Sequence, residues 1–147
     1  MTAVRSFLAC LLAAGISACA MIDTPPTPQS KTLAEFREID PKAFASGAFN
    51  RELQYQYVKM SVLFGGVSSA LPGGYSRDQV IAFDVWTPDQ SQMITAVASK
   101  QLARGIFALS NSQPINLYGR VVPMLRRTLI GRTDEVLILE VWEINRR

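Results

Sequence analysis

Polar and apolar residues alternate with a period of two along five stretches of this chain. The clearest is residues 57–64, where Val58, Met60, Val62 and Phe64 share one face and mostly polar residues occupy the other. Because successive side chains on a β-strand point to opposite faces, this pattern predicts a strand with one buried face. The same reasoning predicts strands at residues 57–64, 80–86, 93–98, 115–122 and 135–144.

Two short helices are predicted beside these strands. Thr32 and Glu35 form a capping-box pattern, which predicts a helix over residues 32–39. Ser99 has the side chain of an N-cap and predicts a helical run over residues 99–104. Gly119 and the pair Gly65-Gly66 lie inside predicted strands, where glycine is typical of bulges and sharp bends.

Five strands with a short helix between the third and the fourth are the order of an OB-like barrel. We therefore predict a mainly β protein, a small OB-like antiparallel barrel with one or two short helices. An open antiparallel sheet or a sandwich would use the same strands and stays as the alternative. A chain of 147 residues has the size of one domain, which we place at residues 32–147, with the helix at its N-terminal end.

The first 31 residues have a different character. Arg5 precedes an apolar run at residues 7–18, as in an export signal, and this run is shorter than the roughly 20 residues that a permanent membrane span needs. Residues 1–18 are predicted to be a signal peptide. Residues 19–31 contain Pro25, Pro26 and Pro28 and are predicted to form an extended tether.

The sequence Ile16-Ser17-Ala18-Cys19 resembles the lipobox of bacterial lipoproteins. The resemblance implies that the Cys19 sulfur carries a diacylglycerol and that the chain is cut before this residue. Met21, rather than an aspartate, follows Ala20, which by the same resemblance favours a periplasm-facing protein anchored in the outer membrane. The alternative is ordinary signal peptidase, which would cut after Ala20 and release a soluble protein.

Charge and cysteine content limit the partners and the cross-links. Lys and Arg outnumber Asp and Glu by 15 to 12, and loss of Arg5 with the signal leaves an excess of two. Such a weak balance does not steer a protein to a polyanion, so nucleic acid is predicted not to be a partner. Cys10 leaves with the signal and Cys19 is taken by lipid, so no disulfide is expected.

The residues of most catalytic and metal sites are missing from the sequence. It has no histidine, no Ser-x-x-Lys and no phosphate-binding glycine motif. We therefore predict that the protein is not an enzyme and that it has no cofactor and no metal.

One set of outward-facing residues is a candidate binding surface. In an OB-like sheet, aromatic and charged side chains on the outer face could recognise a partner by stacking and hydrogen bonding. Alternatively, Trp86 and Tyr118 pack beneath the helix predicted at residues 32–39. The predicted binding residues are Tyr57, Lys59, Trp86, Tyr118 and Arg120, with Asp84 on the same face.

The lipobox, Phe64-Gly65-Gly66 and Gly119-Arg120 together resemble the starvation-inducible outer-membrane lipoproteins. We predict a non-enzymatic, lipid-anchored cell-envelope protein that binds a protein partner or assembles into an outer-membrane complex. The alternative is a stress-related envelope module that binds a small ligand or a glycan.

Overall fold

The computed structural model describes residues 35–46, 51–127, 130–131 and 133–147. It contains six strands and two short α-helices in these ranges. The signal peptide, the tether, Cys19 and Thr32 lie outside the described residues, so their predictions stay predictions. The elements are β1 (Arg37–Glu38), α1 (Pro41–Ala45), β2 (Tyr57–Val67), β3 (Val80–Trp86), β4 (Met93–Ser99), α2 (Ala103–Phe107), β5 (Pro114–Arg127) and β6 (Thr133–Arg146), with single 3-10 turns at Arg51–Leu53 and Lys100–Leu102.

The long strands close into an OB-type barrel. The sheet runs β1-β2-β3-β4-β6-β5, and β5 pairs back with β2 to close it. The pairings among the five long strands are antiparallel except for β4 with β6, which is parallel. The predicted OB-like barrel is therefore confirmed, and the pairing of β2 with β5 distinguishes it from the open sheet or sandwich.

The barrel interior is filled by the apolar faces that the period of two predicts. Val58, Met60, Val62 and Phe64 of β2 are all buried, as are Phe83 and other inward residues of the remaining strands. Ile106 of α2 is fully buried, while Phe44 of α1 joins the same core. Burying such side chains is the main favourable term in folding, each contributing roughly 1.5–3 kcal/mol.

Two glycines allow the strands to bend as a small barrel requires. The register of β2 against β3 shifts between Phe64 and Gly66, and that of β5 against β6 shifts between Tyr118 and Gly119. A Cβ atom on Gly119 would overlap the backbone carbonyl of Glu140 on the facing strand. Only glycine lets the two backbones approach this closely, so the predicted bulges are present and have a steric cause.

The segment before α1 differs from the prediction of a helix over residues 32–39. Its described part contains the strand Arg37–Glu38, which pairs in parallel with β2, and the Ile39 amide donates to the Lys59 carbonyl at 3.0 Å. The α-helix begins later, at Pro41, with Asp40 as its N-cap. Pairing with the edge of β2 outweighs the local helical propensity of residues 37–38. Pro41 starts α1, because proline is favoured in the first turn of a helix.

The loop between β2 and β3 folds against the outside of the barrel. Its Leu71 and Tyr75 pack on a second small apolar cluster formed by Ala82, Val97 and Ile138. This loop therefore covers part of the outer face of β3, β4 and β6. No helix in the described ranges is long and apolar enough to cross a membrane.

Candidate functional site

Four of the five predicted binding residues lie together on the outer face of the barrel. Tyr57 of β2 is directly opposite Arg120 of β5, and Lys59 is directly opposite Tyr118. Opposed residues of an antiparallel pair point to the same face and lie close together, so the predicted face, combined with the OB-like pairing of β2 with β5, groups these four residues.

An aromatic cluster covers one end of this surface. The ring of Phe36 meets Tyr118, Tyr57 and Trp142 edge to face, with centroids 5.6, 6.1 and 6.2 Å apart, and the Tyr57 and Trp142 centroids are 5.0 Å apart. Tyr118 is only 8% exposed as a result. The described N-terminal segment thus covers Tyr118, but it is not helical there, and Trp86, which the alternative placed beneath the same helix, is 36% exposed.

Arg120 belongs to a buried polar network beside this cluster. Its guanidinium donates to Glu140 Oε2 at 3.0 Å, and the Tyr75 hydroxyl donates to Glu140 Oε1 at 2.6 Å. Burial, together with the bond to Glu140, raises the pKa of Tyr75 well above its usual value. The network fastens the loop between β2 and β3 to the barrel wall, which is a structural use of Arg120.

Lys59 shares this face but makes a separate ion pair, and Trp86 lies apart from the other four residues. Lys59 Nζ lies 3.5 Å from Glu38 Oε2 in an exposed ion pair. Trp86 is the last residue of β3 and pairs with Leu63 and Met93. Its indole lies close to Gly65, where an added Cβ atom would be 2.9 Å from the indole Nε1. The five residues therefore do not form one site, and their role in binding stays a prediction.

The structure contains instead a groove of about 750 Å³ that sequence reasoning missed. This volume is within the usual range of ligand sites, roughly 300–1,000 Å³. Its walls come from α1, the loop between β2 and β3, the start of β4, and the hairpin of β5 and β6. The lining residues are Phe44, Ala45, Ala70, Leu71, Pro72, Gly73, Met93, Ile94, Thr95, Met124, Leu125, Arg126, Glu135, Val136, Leu137 and Ile138.

The groove is apolar and its edges are open to solvent. Met93 of β4 and Leu125 of β5 are 53% and 64% exposed, and both side chains line the groove. Met93 and Met124 have flexible side chains that adapt to the shape of a bound surface. None of the five predicted binding residues is among the described lining residues, although Trp86 stands beside the groove because it pairs with Met93.

Polar contacts join α1, which lines the groove, to the turn between β3 and β4. Asp40 caps the helix by accepting from the Lys42 amide at 3.0 Å. Lys42 Nζ lies 2.6 Å from Asp89 Oδ2 in the turn between β3 and β4. This ion pair, with hydrogen bonds from Thr87 and Ser91, holds the pKa of Asp89 well below its usual range. These contacts join α1, which carries the buried Phe44, to the turn between β3 and β4.

Within the described ranges, no three His, Cys, Asp or Glu side chains gather as ligands for a metal ion. The expectations of no metal, no cofactor and no catalytic activity stay predictions.

Comparison with known proteins supports the fold. No protein-family model and no curated protein matches the chain. A protein described as an aspartyl-tRNA synthetase from Leishmania major Friedlin is similar in structure, with a TM-score of 0.52 and 13% identity over 84% of this chain. This chain spans only 23% of that protein's length. A similarity at this identity shows the barrel fold alone.

Two single-stranded DNA binding proteins have a weaker structural similarity. The mitochondrial protein Rim1 from S. cerevisiae has a TM-score of 0.46 and 7% identity, over 63% of this chain and 94% of its own. The small protein from Streptomyces coelicolor has a TM-score of 0.44 and 12% identity, over 64% and 95%. The exclusion of nucleic acid as a partner was therefore wrong, because similar barrels occur in proteins named for binding it and a weak net charge does not remove this class.

Proposed function

We propose that this chain is a non-enzymatic, lipid-anchored protein of the cell envelope whose barrel holds a protein partner in the groove between β4 and β6. The groove carries the proposal, because a mostly apolar cavity of about 750 Å³ with exposed apolar edges is a surface that binding would cover. The resemblance to starvation-inducible outer-membrane lipoproteins agrees with this assignment, through the lipobox and the Phe-Gly-Gly and Gly-Arg sequences.

The anchor is tested by metabolic labelling. Cells that make the full chain are grown with a clickable fatty acid, and membranes are fractionated into inner and outer. The wild-type protein should carry the label because Cys19 follows Ile16-Ser17-Ala18 as in a lipobox, and it should be in the outer-membrane fraction because Met21, not an aspartate, follows Ala20. Cys19→Ala should be unlabelled. A wild-type protein without label would contradict the anchor and leave the groove proposal untouched.

Binding at the groove is tested by photocrosslinking in living cells. A photoreactive amino acid replaces Met93 at the groove edge or, as a matched control, Phe107, an exposed apolar residue of α2 that does not line the groove. We expect a discrete crosslinked product from position 93 alone. Protease treatment should destroy the attached partner and nuclease treatment should not. A nuclease-sensitive product would identify a nucleic acid, and equal crosslinking from both positions would contradict a site in the groove.

A second candidate is an envelope module that binds a small ligand or a glycan, and the volume of the groove favours it. In that case the photoreactive residue at position 93 should give no protein crosslink. In the wild-type protein, a soluble ligand should protect the Met93 thioether from oxidation. The same oxidation measured at Met60, which is fully buried, provides the internal reference.

A further inference from the structure

The groove exists because two parallel strands separate along their length. β4 and β6 pair only from Ala96 with Leu139 to Ala98 with Val141. Before this point, residues 93–95 of β4 pair with β3 alone, and residues 135–138 of β6 pair with β5 alone, in the described pairings. Two strand edges therefore face each other across the opening.

Strand edges of this kind can accept a further strand through their main chain. Each edge presents N–H and C=O groups in the plane of its sheet, and proteins cover or distort such edges to prevent strand addition. Here the edge of residues 135–138 borders the cavity, as do Met93, Ile94 and Thr95 from the opposite side. The cavity thus has a row of backbone donors and acceptors in its wall and apolar side chains in its floor.

The lining of the groove is compatible with a neutral main chain. Arg126 and Glu135 are the charged residues among the described lining residues, and their formal charges cancel. Binding of a nucleic acid instead would appear as nuclease sensitivity of the product crosslinked at position 93. A peptide main chain is neutral, and its alternate side chains can enter an apolar floor.

We propose that the groove takes an extended peptide segment of the partner protein, which adds a strand along the free edge of β6. This inference rests on the proposed function and names its binding mode. Alternate side chains of the added strand face Phe44, Ile94 and Leu137 in the floor, while the others face the loop and solvent. At about 3.3 Å per residue, residues 135–138 accommodate a core of four residues, so the segment is roughly five to seven residues long.

The chain's own tether is a poor occupant. Pro25, Pro26 and Pro28 lack amide hydrogens, so this stretch cannot supply a regular ladder of donors. The prolines argue against the tether, and our proposal assigns the segment to another protein.

The test uses capped linear heptapeptides as the probe. A library of them is screened against the full chain purified in detergent, and the tightest binder is resynthesised with a single N-methyl group at each position in turn. In a β-strand, successive amides point to opposite sides, so methylation at alternate positions should lower the affinity by about tenfold or more, and methylation between them should change it less than about threefold. Amide hydrogen exchange should slow at the alternate residues of 135–138 whose amides point away from β5 when the peptide binds.

Two variants locate the binding. Met93→Glu places a charge at the groove edge and should weaken the peptide by about tenfold, whereas Phe107→Glu, an equally exposed change outside the groove, should leave it unchanged. Absence of peptide binding, or methylation effects without alternation, would overturn the strand addition. If position 93 still crosslinks to a protein in cells, the site stands and only the binding mode falls. If the peptides do not bind and position 93 does not crosslink to a protein, the proposed function itself is contradicted.

Discussion

Removing Arg120 from its ion pair with Glu140 should destabilise the barrel wall, because it leaves Glu140 as an uncompensated buried charge. Replacing arginine by methionine in Arg120→Met keeps much of the side-chain length and removes the charge. Glu140 is 7% exposed and Arg120 is 24% exposed, and the two are joined at 3.0 Å. The change leaves a buried carboxylate with the Tyr75 hydroxyl as its remaining hydrogen-bond donor in the described network.

The expected loss follows from the burial of both partners. Removing one member of a buried pair costs about 3–5 kcal/mol, because the other charge remains desolvated. Since the arginine side chain retains some exposure, water can partly replace it, and we expect the lower end, about 3 kcal/mol. For a domain of this size the loss corresponds to a fall in Tm of roughly 10 °C.

A control on the same face makes the test specific. Lys59→Met removes an exposed pair with Glu38, whose atoms are 3.5 Å apart, and should cost about 0–1 kcal/mol. The double variant Arg120→Met/Glu140→Gln should recover most of the larger loss, because the uncompensated charge is gone and Tyr75 keeps an acceptor. Urea unfolding followed by tryptophan fluorescence measures all three. Equal losses for Arg120→Met and Lys59→Met would refute the reasoning.

Three further changes test the backbone and the titrating groups. Gly119→Ala should lower the free energy of unfolding, measured by urea, by about 3 kcal/mol, because a Cβ atom at this position overlaps the facing strand. As a control, Gly105→Ala in α2 should be neutral or slightly stabilising, because its Cβ atom meets open space. The pKa of Tyr75 is raised in the folded state, so the unfolded chain loses this proton first as the pH rises above about 10. The stability advantage of wild type over Tyr75→Phe should therefore shrink there, and an advantage constant from pH 8 to 11 would contradict it. The Lys42 ammonium lowers the pKa of Asp89, so wild type should be more stable than Asp89→Asn at pH 7 and lose this advantage as the pH falls below about 4; thermal melts at pH 3 and 7 measure it.

The strands of the barrel could be predicted because each signal is contained in one segment. Val80–Trp86 alternates between inward and outward residues, and the structure places a strand at those bounds. Alternation appears in any strand that has one face against a core, so the strand could be predicted without knowing which strands lie beside it. Gly119 was likewise informative, because a glycine inside a strand already indicates a close backbone approach.

The N-terminal segment and the role of Arg120 depend on distant residues and could not be predicted in this way. The capping pattern at Thr32 and Glu35 is a local signal, whereas the hydrogen bond of Ile39 with Lys59 joins two separate segments. Arg120 was correctly placed on the outer face, but its partner Glu140 is 20 residues away, and Tyr75 is 65 residues from Glu140. Alternation gives the face of a residue and does not give its contacts.

The groove has a further reason for being absent from the sequence pattern. Ile94 and Leu137 are inward residues of regular strands, and by alternation alone they belong to an ordinary core. They become the floor of a cavity because β4 and β6 pair only between residues 96–98 and 139–141 and separate before that point. The separation is a property of two strands more than 40 residues apart and of Phe44, which occupies the opening beneath them. The proposed partner peptide would therefore bind where the barrel is incompletely paired. The apolar residues that would contact the peptide also belong to the core of the domain.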